Sequence, residues 1–318
     1  MEKINLNSCK KGYVYDQDKA IPPEQTVKAA FERLKRFEHP LFEKFYKVEN
    51  DFDIPIYRLE ISKYTPCAYP LFEGTWGKGV ADAQAQASCI MEFIERYSAQ
   101  QYNKWLKEKH SNFEAGTALP MECWKNSLDY AGKDAKGLLA AAGDMLFYWG
   151  KAYNLNTNQY EFIPKIFYDT CTTGLAAGNT MEEALLQGMC ECVERHVSAH
   201  VYRHGGEYPT VDKATINNVL IKKLIKSIES KGIEIIIKDF SSLTGIPALG
   251  IILIKENTQG HIIGQRLGVC PDKEKGLMRA LTENAQGSAI SKLKHKLGGS
   301  EFFHHDRPEE LEIGRAHV

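Results

Sequence analysis

The stretch GKGVADAQAQASCIMEFIERYSAQ, residues 77–100, decides how this chain is read. It opens on a short glycine-rich loop, Gly74 to Gly79, and runs into a long helical pattern from about Ala81 to Lys107. At 3.6 residues per turn, Ser88, Glu92, Glu95 and Arg96 fall within about 100° of arc. Cys89, Ile90, Met91, Phe93 and Ile94 fill the rest of the circumference. The polar face is narrow and rich in carboxylates.

The same design returns 99 residues later, where Gly79, Ala85, Glu92, Glu95 and Arg96 recur as Gly178, Ala184, Glu191, Glu194 and Arg195. In AAGNTMEEALLQGMCECVERH, residues 176–196, Glu183, Gln187, Glu191 and Glu194 share a face and Asn179 sits at the start. Either helix alone reads equally as a solvated amphipathic surface, with Arg96 paired to Glu92 and Arg195 to Glu191 at i,i+4. Exposed faces usually mix lysine with glutamate, and these two do not. Two loop–helix units with narrow acidic stripes therefore read as a duplicated half-site. Carboxylates of this kind suit Mg²⁺, which prefers oxygen ligands and bridges to phosphates. A glycine-rich loop entering a helix N-terminus suits a phosphate. Neither a Walker A loop nor a G-x-G-x-x-G turn is present.

Outward from these units, Pro22-Pro23-Glu24 begins a helix that continues through Leu34, and Asp53–Ile61 alternates as a strand. Residues 109–142 look irregular. Met145–Tyr153 and Tyr160–Ile163 read as strands, and the second long helix runs to about Arg203. Asp212–Lys231 reads as one amphipathic helix, Ile233–Lys238 as a strand, and Pro247–Lys255 with His261–Leu267 as a hairpin. Asp272 reads as the N-cap of a last helix reaching about Leu293. The expected class is α/β (α+β), mixed sheets with long helices, in one compact domain over residues 1–311.

Composition agrees with a globular chain. Of 318 residues, 43% are hydrophobic and 25% charged, and the net charge is −1. A general nucleic-acid binder would carry a basic excess, so no direct nucleic-acid partner is expected. No run is long and apolar enough for a membrane span, and the first residues lack the apolar core of a secretory signal. Eight scattered cysteines form no C-x-x-C pair, so a reduced, cytoplasmic protein is the default. Ile313–Val318 is the in-frame translation of a common short-read sequencing adapter. Residues 312–318 are therefore read as an artefact that replaces the natural C-terminus, and are set aside.

Three ordered segments resemble the YcaO family. The first is residues 77–100, with its G-K-G loop and S-x-x-x-E-x-x-E-R. The second is residues 176–196, with N-x-x-x-E-A and E-x-x-E-R. The third is GLMRALTENAQ, residues 276–286, with R-A-L-T-E-x-x-Q. The resemblance covers roughly residues 17 to 300 and implies a YcaO-like fold whose long helices line a cleft for ATP and Mg²⁺. It implies that Ser88, Glu92, Glu95, Arg96, Asn179, Glu183, Glu191, Glu194, Arg195, Arg279, Glu283 and Gln286 bind these cofactors, with Glu92, Glu95, Glu191 and Glu194 on the metal. Lys19 and Thr26 match, weakly, a Lys–Ser pair that contacts nucleotide in some members. Ser288 stands where many members carry an arginine, and the C-terminal tail of many members is missing.

The implied activity is ATP-dependent O-phosphorylation of a peptide or protein backbone amide, for thioamide or azoline formation. Only about 50 residues precede the first expected strand, too few for a fused leader-binding domain. Thioamidation with a TfuA-like sulfur-delivery partner is therefore favoured. The alternative is an ATP-binding accessory factor to a separate protein-modifying enzyme, such as a ribosomal-protein methylthiotransferase. A non-enzymatic protein with acidic helices is the weakest reading. Symmetric dimers being common among soluble enzymes, a homodimer is the default expectation.

Other constellations rank lower. Cys192, His196, His200 and His204 step along one helix at i+4, but the row drifts too far for all four to meet one ion. Cys190 and Cys192 face apart, and Cys171 is read as a packing residue before a sulfur carrier. Trp76 reads equally as an adenine stack or as core, and Lys292, Lys294 and Lys296 as a solvated helix end.

Overall fold

The computed structural model describes residues 4–12, 19–52, 54–65, 74–105, 109–111, 137, 146–164, 172–257 and 260–296. Cys67, Cys123, Cys171 and the tail after residue 296 lie outside them, as does most of the irregular stretch 112–144. The chain divides into two compact units. One comprises Met1–Ser8 and Arg96–Thr173, the other Cys9–Glu95 and Gly174–Val318.

The larger unit opens with α1 (Pro23–Leu34), whose first turn tolerates proline because that position has no intrahelical N–H partner. A three-stranded sheet follows, with β1 (Phe42–Val48), β2 (Ile56–Ile61) and β3 (Thr75–Lys78) in sequential antiparallel order. β1 corrects the expectation that the first strand begins after about 50 residues. Its sequence FEKFYKV buries only Val48 fully, so it shows no clear alternation. β3 likewise turns most of the expected glycine-rich loop into a strand. The acidic helix α2 (Asp82–Trp105) follows.

The smaller unit holds a second antiparallel sheet of β4 (Lys109–Ser111), β5 (Leu146–Asn154) and β6 (Gln159–Pro164). The chain then enters the second acidic helix, α3 (Met181–His204). It is capped by Thr180, whose hydroxyl accepts the Glu183 N–H at 3.3 Å.

The single helix expected over Asp212–Lys231 is two elements. Asp212 caps a short turn at Lys213–Thr215, and Asn218 caps α4 (Val219–Glu229) by accepting the N–H groups of Leu220 and Ile221. Each capping side chain satisfies orphan donors and restarts the helix. α4 buries Ile221, Leu224, Ile225 and Ile228, the i, i+3, i+4, i+7 stripe of a core-facing helix.

The third antiparallel sheet is β7 (Ile233–Asp239), β8 (Ala248–Asn257) and β9 (Gly260–Val269). Helix α5 (Lys273–Lys296) starts at Asp272, whose carboxylate accepts from Glu274 and Lys275. One hydrophobic core joins Ile54 and Ile56, the α4 stripe, Ile235, Ile237 and Ile251 of the sheet, and Leu277, Leu281 and Ala285 of α5. Each isoleucine or leucine so buried contributes about 1.5–3 kcal/mol. The architecture is α+β, and among the described residues every strand pairing is antiparallel. Among the described residues, no helix is long and apolar enough to cross a membrane.

Candidate functional site

The internal echo in the sequence is a geometric repeat in the larger unit. Glu92 Oε2 accepts the main-chain N–H of Trp76 at 3.1 Å, and Glu191 Oε2 accepts that of Gly174 at 3.2 Å. Each carboxylate is thereby fixed against the segment that leads into its own helix. The paired glycines match as well. A Cβ on Gly79 would lie 2.8 Å from the Ala85 nitrogen, and one on Gly178 would lie 2.6 Å from the Ala184 nitrogen. A side chain at either place would collide with the first turn of the helix.

Gly77 is tighter still, since a Cβ there would stand 2.2 Å from both Ala85 O and Cys89 N. The glycines of the G-K-G motif thus let β3 lie flush on α2, a packing reason for the pattern beside the phosphate-cradling one. Thr75 reinforces the seam by donating its hydroxyl to Cys89 O at 3.0 Å. Cys89 is fully buried, and desolvation pushes its thiol up to about 12.

Lys78, between these glycines, belongs to the G-K-G motif but to none of the expected cofactor-binding positions. Its ammonium forms an ion pair with Glu283 of α5, and its side chain is 23% exposed. Burial pulls its pKa down to about 8. The Arg279 and Arg266 charges push the same way, while Glu92 and Glu194 oppose. Glu194 responds inversely: burial raises its pKa, and Arg279, Arg195 and Lys78 pull it back. Lys78, Glu92, Glu194, Arg279 and Glu283 therefore form one electrostatic group drawn from β3, α2, α3 and α5. Arg279 also donates to Val269 O at 3.4 Å. Arg266 on β9 was likewise missed; a strand arginine outside any motif carries no sequence signal.

The start of α3 forms a second cluster. Glu183, 1% exposed, accepts the Asn179 N–H at 2.9 Å and the Asn179 side-chain amide at 3.1 Å, and its other oxygen accepts the N–H of Ala20. Thr26 donates its hydroxyl to Asn179 Oδ1 at 2.9 Å. The weak Lys19–Thr26 match thus brings Thr26 onto Asn179, with Lys19 adjoining Ala20. The carboxylate of Glu183 is used in holding the N-terminal segment to α3.

The remaining candidates are placed less centrally. Arg195 is 59% exposed and pairs with Glu191 at 3.6 Å, the i,i+4 contact of a helix surface. Ser88 is exposed on α2, Glu95 and Gln286 are half-buried, and Arg96 falls in the smaller unit. Trp76 carries the Arg58 guanidinium 4.7 Å from its ring centroid and packs against the main core. Cys190 is buried and Cys192 exposed, as their spacing implies. Among the described residues, no group of three or more His, Cys, Asp or Glu is gathered at metal-holding distance.

Comparison with known proteins gives the family of the chain. The family described as YcaO cyclodehydratase, ATP- and Mg²⁺-binding, matches residues 76–315. An uncharacterized protein of Methanothermobacter thermautotrophicus is 29% identical over 233 residues, 67% of this chain and 56% of its own. An uncharacterized protein in the tfuA 3' region of Rhizobium leguminosarum bv. trifolii is 30% identical over 128 residues, 37% of this chain and 30% of its own. This chain therefore spans about half or less of these relatives' lengths. Among solved structures, a heterocyclase in complex with substrate and cofactor superposes with a TM-score of 0.67 at 22% identity, covering 90% of this chain and 42% of that one. YcaO from Methanopyrus kandleri, bound with AMPPCP and Mg²⁺, superposes with a TM-score of 0.61 at 21% identity, covering 87% and 69%. The chain belongs to the YcaO cyclodehydratase family, and ATP and Mg²⁺ are its cofactors.

Proposed function

We propose that this chain uses ATP to phosphorylate a backbone amide oxygen of a peptide or protein, preparing it for thioamide formation. The observation that carries the reading is the duplicated anchoring of Glu92 and Glu191, with Lys78 set among Glu92, Glu194, Glu283 and Arg279. Its donors fit the cofactors. Oxygen-only carboxylates suit Mg²⁺, which takes few protein ligands and keeps waters and phosphate oxygens, so a closed protein cage is not needed. Lys78, Arg279 and Arg266 supply cations for phosphate oxygens.

In this reading Glu92, Glu95, Glu191 and Glu194 hold the metal, which neutralises the triphosphate when bound. Arg279 and Lys78 stabilise charge on the transferring phosphoryl group. Glu183, Asn179 and Thr26 fix the N-terminal segment beside them. The amide oxygen bonds to the terminal phosphorus, ADP leaves, and the amide carbon becomes open to attack. Hydrosulfide then adds at carbon, phosphate departs with the former amide oxygen, and a thioamide results. A side-chain thiol or hydroxyl in the same role gives an azoline. The neighbourhood of tfuA named for the Rhizobium relative supports a sulfur-delivering partner.

Calorimetry of Mg–ATP binding tests this, comparing the chain with Glu92→Ala and Glu191→Ala. Binding that needs both carboxylates, followed by peptide-dependent ADP release, is the expected result. Binding without any peptide-dependent turnover is the outcome an accessory factor would give. Absence of binding in the parent chain overturns the reading.

A further inference from the structure

A cavity of about 130 Å³ lies in the larger unit between the C-terminal half of α3 and the face of β7–β9. Its apolar wall includes Val197, Val201, Phe240 and Leu267. Phe240 reaches this position because Gly250 has no side chain; a Cβ there would lie 2.5 Å from the ring. The wall is braced by Tyr208, whose ring meets Phe240 edge-on at 4.8 Å.

One residue lining this cavity is out of keeping with it. Lys238, next to the last residue of β7, is 5% exposed. Its ammonium donates to Thr210 Oγ1 at 2.8 Å and, at 3.4 Å, to Tyr208 O. Both acceptors are neutral. The nearest carboxylate in sequence, Asp239, is occupied by the N–H and hydroxyl of Ser241. An ammonium has three donors, and a buried one without an anion is costly. Arg266 adds a second cation to the same lining.

An apolar wall beside a buried ammonium that meets only neutral acceptors describes a ligand with a branched aliphatic group and a carboxylate close together. The last residue of a peptide ending in leucine or valine has that structure, and so does a small free branched acid. We propose that this cavity binds the C-terminal carboxylate and aliphatic side chain of a peptide, with Lys238 as the carboxylate's partner. The proposal rests on the reading that a peptide is the substrate, and it gives that substrate an end. Arg266 belongs both to this lining and to the charges acting on Lys78, so it links the cavity to the carboxylate cluster.

Titration calorimetry on the full chain without nucleotide tests it, using N-acetyl-Ala-Ala-Leu as the free acid, the same peptide as its amide, and isovalerate. The acid should bind at least about tenfold more tightly than either, because a charge-assisted hydrogen bond is at stake. Lys238→Met, which removes the cation, and Val201→Phe, which fills the cavity from α3, should each abolish the preference while still binding Mg–ATP as the parent does. If Lys238→Met loses both ligands, Val201→Phe decides. Equal binding of acid and amide, no binding of the acid, isovalerate binding as tightly as the peptide, or a preference surviving Val201→Phe overturns the proposal. Mg–ATP bound without the peptide removes this inference alone; the converse removes the proposed function and leaves the cavity's ligand standing.

Discussion

Lys78 of β3 and Glu283 of α5 form an ion pair, tying the strand that precedes the first acidic helix to the helix that follows the third sheet. The pair holds a lysine whose pKa is pulled to about 8 from its ordinary 10.5, burial being the main cause. The unfolded chain binds the proton more tightly between those values, so this group's contribution to stability rises with pH across that window. Lys78→Met removes the dependence. The difference in unfolding free energy between Lys78→Met and the parent should shrink from pH 8 to 10.5, measured by urea denaturation. A difference constant with pH would falsify the assignment.

Glu194 is shifted in the opposite sense for its charge, since burial raises its pKa. The folded state then holds the proton more tightly. Its contribution is fully present below the ordinary carboxylate range and is lost as pH climbs through the raised value. Glu194→Gln, neutral at every pH, should melt higher than the parent at pH 8 and match it near pH 4. It should bind Mg–ATP more weakly. Equal melting at both pH values would speak against a strained carboxylate.

Glu183 accepts three N–H groups, those of Ala20 and Asn179 and the Asn179 side chain, while almost wholly buried. Glu183→Ala leaves these donors without acceptors and should cost about 2–5 kcal/mol of unfolding free energy. Glu183→Gln keeps an acceptor and should cost less. The two variants in parallel chemical denaturation check this, and equal losses would count against a hydrogen-bonding role.

Gly77→Ala would place a methyl group 2.2 Å from main-chain atoms of α2, which cannot move aside as a side chain can. It should destabilise by about 1–3 kcal/mol or more. Gly264→Ala is the control, because its nearest neighbour would be 3.8 Å away, and a change within about 0.5 kcal/mol is expected. Thermal melts of both compare strand–helix contact with the generic cost of losing a glycine.

With its thiol at about 12, Cys89 is thiolate in only about one part in ten thousand at pH 8. Iodoacetamide on the folded chain should alkylate exposed Cys192 and leave Cys89 unmodified. Peptide mass mapping reads this directly, and rapid labelling of Cys89 would show that the β3–α2 seam opens.

The long helices were legible because their apolar periodicity extends over several turns, and the acidic stripes because two copies share one spacing. β1 was not, because a strand that buries one residue in seven leaves no alternation to read. The break between Thr215 and Val219 was hidden because the amphipathic pattern runs across the gap, and the cap at Asn218 shows only in the structure. In the site, the glutamates were visible from spacing. Their N–H partners on Trp76 and Gly174 were not, since main-chain donors have no side-chain signature. Lys78 drew notice only as the middle of a glycine motif, and its charge environment needed the third dimension. Lys238 closes the isoleucine-rich strand pattern in the sequence with nothing there to mark it as buried; in the fold the segment around Thr210 lies alongside β7 and covers it.

The clasp between the first helix and α3 has a bearing on the order in which the protein comes into being. Thr26 meets a partner 153 residues downstream, and Ala20 one 163 residues downstream. Lys78 waits longer still for Glu283. Such distant closures come late, because their loops lose the most freedom when they form. On a ribosome, the first acidic helix would emerge well before its opposite number, and α5 after both. Competence for nucleotide would thus wait until α5 has been made, so that a nascent chain short of it would not consume ATP.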